Sequence, residues 1–417
     1  MQSTTAEATA PRSIPGPWAI AVAGAFSLSV AMGIGRFAFT PLLPMMLHDG
    51  VLDLPTASWL ASANYFGYMV GAILCTLQPW IWQRLGRAKP LDAASMVRGG
   101  LIATCLLTAA MALPWAPTWP ALRFGAGVSS SVVFVYVSGW CLTQLARRGH
   151  AELGGAIYVG PGAGIVVSGL IASVIVAMEG MASTGWLVFG VLAVALSASI
   201  WPIFRRGELP ASAATAGATA SAGTAKPTVT RGEIATLALA YGLAGFGYII
   251  TATFLPVIAR QALPGSVWLD LFWPIFGAGV MTGAMLTTRV SLKGDVRAML
   301  AVCYVVQAIG IVASLWSPTL GGFVLGSVLL GVPFTAITYF GMQEVRRLRP
   351  VNTASMIGLL TVLYGLGQIV GPPLVAWLIR ASGSASRGFS LSLGVAAGTL
   401  IAGALMYLVM MRVWPKR

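Results

Sequence analysis

Residues 67–74 read GYMVGAIL and residues 279–286 read GVMTGAML. Gly67, Met69, Gly71, Ala72 and Leu74 meet Gly279, Met281, Gly283, Ala284 and Leu286, at the spacing that carries Gly67 onto Gly279. Moving outward, the preceding apolar stretch keeps that spacing without a gap. Gly33, Gly35, Leu43 and Pro44 meet Gly245, Gly247, Leu255 and Pro256. The chain is an internal duplication, and each copy contributes helices rather than strands, because long apolar runs of this kind lack a two-residue alternation.

Composition says where those helices sit. Of 417 residues, 57% are apolar and only 9% charged, with a further 50 glycines. An ordinary soluble domain carries about 25% charged residues. So few charges cannot cover a water-facing surface over that much apolar area, and a disordered chain has the opposite bias. Soluble enzyme folds and disorder are both excluded. A helix needs about 20 apolar residues to cross about 30 Å of hydrocarbon. By that measure twelve spans are predicted: 18–47, 57–81, 95–113, 119–145, 153–178, 184–204, 233–259, 266–288, 298–316, 320–343, 353–379 and 388–411. The predicted units are a polar N-terminal tail (1–17), a first six-helix bundle (18–204) and a linker (205–232). A second bundle (233–411) and a short tail (412–417) follow. The linker contains ASAATAGATASAGTA, which offers no periodic apolar face and reads as a flexible connector.

The net charge of +14 could suggest a nucleic-acid partner, but its distribution says otherwise. With the N-terminus inside, 20 of the 25 Lys and Arg fall in cytoplasmic segments or at cytoplasmic helix ends. They include Arg84, Arg87, Arg147, Arg148, Arg346 and Arg347. Only Arg260, Arg380 and Arg387 lie outside, and Arg36 and Arg123 remain in the membrane. This is the positive-inside asymmetry, with both termini cytoplasmic in an inner membrane and no nucleic acid required.

Two six-helix halves in one orientation put a substrate site near the midplane between them. The pairs Gly67/Gly71 and Gly279/Gly283, four residues apart, allow close helix approach. The string Met32-Gly-Ile-Gly-Arg-Phe-Ala-Phe-Thr-Pro-Leu-Leu-Pro-Met45 resembles the YbfB/YjiJ-type branch of the major facilitator superfamily. So do Asn64-Tyr65, Gly67-Tyr68, Tyr241-Gly-Leu-Ala-Gly-Phe-Gly-Tyr248 and Gly367-Gln-Ile-Val-Gly-Pro-Pro373. The resemblance implies an all-α membrane protein of twelve helices in a 6+6 pseudo-symmetric major facilitator fold. Arg84, Gly86 and Arg87 match the basic part of the superfamily's loop between helices 2 and 3. Gln83 stands where an Asp is usual and Pro79 where the first Gly is usual. Arg123 with Gly127 resembles its helix-4 element. Gly160-Pro161 resembles an antiporter motif but sits too near the cytoplasmic end, whereas Gly371-Pro372 lies deeper.

Arg36 is the foremost site candidate. A charge deep in a span costs about 2.5–3.5 kcal/mol on insertion scales and generally faces a cavity or partner. It either receives an anionic group of the solute or has a structural part, satisfying carbonyls freed by Pro41 and Pro44 or pairing with Asp270. Its repeat mate is Tyr248, so the duplication itself does not require the charge. Arg123 is expected near the outer end of helix 4, as an interface cation or a coupling residue. Thr40, Asn64, Tyr65, Tyr136, Tyr248, Tyr339, Tyr364 and Gln368 form a second tier of polar groups that a substrate or a neighbouring helix could satisfy. Arg123, Asp270, Arg84, Gly86 and Arg87 are candidates for coupling or gating. Gly33, Gly35, Gly67, Gly71, Gly245, Gly247, Gly279, Gly283, Gly371 and Pro372 are assigned to helix packing. Trp59, Trp115, Trp119, Trp186 and Trp268 are expected in interfacial belts.

No carboxylate lies at mid-span, so a proton, the coupling ion the resemblance suggests, has no evident carrier. Cys75, Cys105, Cys141 and Cys303 are dispersed in apolar runs, which supports neither a disulfide nor a metal site. His150-Ala-Glu152 is not followed by paired cysteines, and the Gly-rich strings lie inside helices, so no enzyme motif survives and no cofactor is expected. The expected function is alternating-access transport of a small organic, anionic solute by a monomer in the lipid bilayer. Efflux of toxic or apolar compounds is the alternative within that class. A non-transporting receptor or scaffold is the alternative outside it.

Overall fold

The structure, a computed structural model, describes residues 15–86, 91–204, 230–263, 268–289, 294–349 and 353–415. Nearly all of the predicted linker and N-terminal tail, the end of the C-terminal tail and Arg87 lie outside the described residues. Twelve helices are long and apolar enough to cross a membrane. The first span is split into α1 (Pro17–Leu28), a π-helical segment (Ser29–Ile34) and α2 (Phe39–His48). The next five spans of the first half are α3 (Leu54–Arg84), α4 (Ala93–Ala110), α5 (Trp119–Arg147), α6 (Gly160–Ala177, preceded by a 3-10 turn) and α7 (Ala182–Ile200). The second half comprises α8 (Arg231–Ala262), α9 (Phe272–Arg289), α10 (Val296–Trp316), α11 (Leu320–Leu348), α12 (Thr353–Ser382) and α13 (Ala385–Val413). Polar caps start several of them. The Thr56, Ser95 and Arg297 amides donate to the carboxylates of Asp53, Asp92 and Asp295, at 2.8, 2.9 and 2.9 Å.

The duplication is visible in the packing. Gly127 of α5 faces the Asn64 carbonyl so closely that a Cβ would collide with it, and Gly331 of α11 stands in the same relation to Phe276. Asn64 and Phe276 are repeat mates at the spacing that also joins Gly67 to Gly279. Gly67 and Gly71 rest on Phe124 and Val128 of α5, as Gly279 and Gly283 rest on Val328 and Val332 of α11. Each glycine removes the side chain that would hold two backbones apart, and tight van der Waals packing then binds helices that have no hydrophobic drive to associate in lipid. Gly33 against Gly164 and Gly245 against Tyr364 do the same for the first and seventh spans.

One difference between the halves positions the site. α8 runs unbroken through Pro256, but the first span loses its regular α-helical hydrogen bonding between Gly35 and Ala38. The glycines and Pro44 are common to both copies, so they do not cause the break. Pro41 is the difference, standing where the second copy has Thr253. It has no N–H to give to Phe37, and that carbonyl instead takes the Thr40 amide at 3.1 Å. The Arg36 carbonyl thereby loses its helical donor. Upstream, the Gly35 amide reaches back to Val30 at 2.8 Å and the Phe37 amide to Met32 at 3.1 Å, the wider π spacing.

We call the face at which Pro17 enters the near face and the opposite one the far face. The halves are tied together on the far side of the midplane. The Thr40 hydroxyl donates to the Ala252 carbonyl at 3.0 Å, joining two repeat mates across the pseudo-twofold axis. Ser62 donates to the Ile369 carbonyl (2.9 Å), Ser173 to the Asp270 carbonyl (3.3 Å), and the hydroxyls of Tyr65 and Thr253 share a 2.8 Å bond. Every residue from Ser27 to Met46 is buried. Toward the near face α1 packs on its own half, whereas α2 packs on α8. Trp18, Val22 and Phe26, one turn apart on α1, are 66%, 44% and 37% exposed.

Candidate functional site

Arg36 lies in the irregularly bonded turn of the first span and is only 3% exposed. The break aims its side chain across the axis at the second half. One terminal nitrogen donates to Gln368 Oε1 of α12 at 2.6 Å, and Gln368 Nε2 donates to the Tyr248 hydroxyl of α8 at 2.5 Å. Arg36 and its repeat mate Tyr248 therefore meet through one amide. The guanidinium carbon lies 4.0 Å from the Tyr68 ring centre, 5.2 Å from Phe37 and 5.4 Å from Tyr65. Its Nε is buried without a partner.

Arg123 is not an interface cation. It is 2% exposed, and its two terminal nitrogens donate to the carbonyls of Gly35 (3.3 Å) and Arg36 (3.1 Å). These are carbonyls of the turn where regular helical bonding lapses, so the structural part considered for Arg36 belongs to Arg123. Counting residues from the helix end misplaces it, because Trp119, which begins α5, is itself buried and the next turn packs against the first span. Asn64 Nδ2 fixes the same turn by donating to the Arg123 carbonyl at 2.9 Å. At the spacing that relates Gly127 to Gly331, Arg123 corresponds to Ser327, whose hydroxyl bonds within its own helix. Both membrane cations thus occur in one copy only.

Neither cation has a carboxylate within 4.0 Å among the described residues. Asp270, considered as a partner of Arg36, pairs with Arg260 at 2.5 Å instead. Asp49 accepts from the Ala182 amide, and Glu152 meets His150. Taking an ion out of water costs several kcal/mol even after relaxation, and aromatic faces and neutral amides offset only part of that. Arg36 and Arg123, joined through the Arg36 carbonyl that Arg123 holds, are thus both buried without a counter-charge among the described residues.

The predicted polar residues divide by location. Tyr65, Tyr248, Tyr364 and Gln368 join Arg36 in one cluster, and Thr40 belongs to the far-side seal. Tyr248 and Tyr364 stack with centres 5.8 Å apart. Tyr136 is buried without a ring contact to this cluster, and Tyr339 is 39% exposed beside Phe340. Arg84 lies over Trp80 (5.2 Å), and Gly86 ends α3 at φ 64°, a left-handed turn that glycine adopts without strain. Both are outside the Arg36 cluster. Gly247 packs on Leu400, Gly371 on Ile249 and Gly35 on Thr104, while Pro372 lies inside the continuous α12. Of the tryptophans expected in belts, Trp119 and Trp186 are buried, the former donating to the Leu113 carbonyl at 3.1 Å.

Sequence reading missed the apolar part of the site: Phe37, Tyr68, Trp273 and Phe334. Tyr68 was visible in the Gly67-Tyr68 motif, whereas Trp273 and Phe334 carry no local signal. It also missed a charged network at the near face of the second half. There fully buried Arg297 contacts Asp295 (2.8 Å), Glu344 (3.7 Å) and Glu233 (3.8 Å), and Arg347 contacts Glu344 (2.6 Å) and Glu233 (3.0 Å). These residues are far apart in sequence and become a cluster only when α8, α10 and α11 converge.

Known proteins share this architecture. A solved structure of a mutant of the nucleoside transporter NupG superposes with a TM-score of 0.72 at 13% identity, covering 94% of this chain and 99% of that one, which shows the fold. No curated protein matches the chain. The family model described as the uncharacterised MFS-type transporter YbfB matches residues 28–408. That match spans both halves, and the chain belongs to this family of major facilitator superfamily transporters.

Proposed function

We propose that this transporter carries a small organic anion by alternating access, and that Arg36 receives the anionic group. The observation behind this reading is the pair Arg36 and Arg123, buried together with two unpartnered Nε atoms and no neighbouring carboxylate among the described residues. A nucleoside, named for the structural neighbour NupG, is neutral and would leave that charge in place. A carboxylate neutralises it and bonds the guanidinium through two oxygens.

The bond between Arg36 and Gln368 gives binding a mechanical consequence. Gln368 Oε1 occupies a donor that a substrate oxygen would take. Displacing it breaks a contact between the halves and lowers the preference for the state sealed on the far side. The near face is assigned to the cytoplasm by the positive-inside charge distribution. Among the described residues no carboxylate adjoins Arg36, which favours a coupling proton, where there is one, travelling on the substrate itself.

Binding of benzoate, lactate, succinate and gluconate to the purified protein, followed by thermal stabilisation, tests the anion reading. At least one carboxylate should stabilise the wild type, and Arg36→Gln should reduce its affinity at least tenfold while Arg36→Lys retains part of it. Equal stabilisation of Arg36→Gln, with an unchanged melting temperature of the ligand-free protein, would remove Arg36 from the site.

A further inference from the structure

Resting on that reading of Arg36, we propose that the preferred substrate is a planar aromatic monocarboxylate, its carboxylate on Arg36 and its ring among the side chains of α3, α11 and α12.

Rings from both halves lie around Arg36: Phe37, Tyr65 and Tyr68 face the guanidinium from the first half, and Phe37 is linked ring to ring with those of the second. Tyr248 meets Phe334 edge-on at 5.0 Å and stacks with Tyr364 at 5.8 Å. Phe37 meets Phe334 at 6.3 Å and Trp273 at 6.2 Å, both edge-on. Tyr65 and Tyr248 are buried behind the cation, but Tyr68, Phe334 and Tyr364 keep part of their surface accessible. The accessible rings thus come from α3, α11 and α12 and lie around one buried cation. Flat π faces and ring edges match another planar ring better than a puckered one, because offset and edge-to-face geometries both require planarity.

Charge count limits the ligand further. Arg36 is available to an anion, but Arg123 is occupied by the Gly35 and Arg36 carbonyls and lies under the Phe39 ring at 4.8 Å. One carboxylate finds a cation there, and a second would find rings, tyrosine hydroxyls and the Gln368 amide but no further guanidinium free to pair. Polyhydroxylated acids fare no better, because each hydroxyl needs a partner and the ring walls supply few. One buried donor in the set is unused: Trp273 Nε1 has no partner. An acceptor on the ligand ring, such as a phenol oxygen or a ring nitrogen, would satisfy it.

The test compares benzoate, 4-hydroxybenzoate and nicotinate with cyclohexanecarboxylate, succinate and benzamide by titration calorimetry on the full-length protein in detergent. The three aromatic monoanions should bind, with cyclohexanecarboxylate and succinate at least about tenfold weaker and benzamide not detected. Tyr68→Leu should lose about tenfold in benzoate affinity, and Tyr68→Phe should keep it. Equal binding of cyclohexanecarboxylate, or an unaffected Tyr68→Leu, overturns the planar-ring proposal while leaving an anion site at Arg36 intact. Stronger binding of succinate overturns the single-charge count. If benzamide binds as well as benzoate, or no carboxylate binds, the anion reading falls too.

Discussion

Gln368 puts a neutral oxygen 2.6 Å from a buried guanidinium, the place a substrate carboxylate is proposed to take. Gln368→Glu would supply that carboxylate permanently. An ion-paired hydrogen bond contributes about 1.5–3 kcal/mol, more than a neutral one. The variant should therefore melt a few degrees higher than wild type and lose carboxylate binding by at least tenfold. Calorimetry and thermal melting on one preparation would check both effects, and a variant that still binds benzoate normally would refute competition at Arg36. Arg36, Tyr248 and Gln368 were each legible in sequence as polar groups inside apolar spans. Their meeting was not, because it spans α8, α12 and the break in the first helix.

At the level of the element, the broken first span is sustained by a proline on one helix and an arginine on another. Arg123→Ser, the residue of the other copy, would leave the Gly35 and Arg36 carbonyls without donors. Burying unsatisfied polar groups costs about 1–3 kcal/mol each. Adding Pro41→Thr, again the other copy's residue, restores an N–H for Phe37, frees the Thr40 amide for Arg36 and lets the helix close as α8 does. The single variant should be clearly destabilised in thermal melting, and the double variant should regain at least half of the loss. A double variant no more stable than the single would show that the proline does not maintain the break. The same logic explains what sequence could and could not say here. Pro41 and Pro44 announced a kink. The donor that satisfies it lies on α5, and counting from Trp119 as a belt residue placed Arg123 too shallow, since Trp119 is itself buried. Arg297 poses a related test in the second half. Arg297→Met would remove the guanidinium that contacts Asp295, Glu233 and Glu344 together, and breaking such a buried network should cost about 3–5 kcal/mol, read in thermal melting.

Across the whole molecule, the duplication supplies a symmetric frame and the two copies divide the charge unequally. The first copy carries two buried cations without counter-charges among the described residues, and the second gathers three carboxylates around two guanidiniums at the near face. Pseudo-symmetry puts repeat mates Thr40 and Ala252 in contact on the axis, in the seal beyond Arg36. Transport by rocking about that axis requires this contact to open in each cycle, whereas binding from the near side does not. Cysteines introduced as Thr40→Cys with Ala252→Cys, in protein lacking Cys75, Cys105, Cys141 and Cys303, would allow the seal to be tied by a short, reducible thiol cross-linker. Cross-linking should reduce benzoate uptake into proteoliposomes at least tenfold, leave benzoate binding within about twofold, and be reversed by dithiothreitol. Uptake that continues at the full rate with the seal tied would mean that solute does not cross by opening this axis, and the pairing of repeat mates there would then be packing alone.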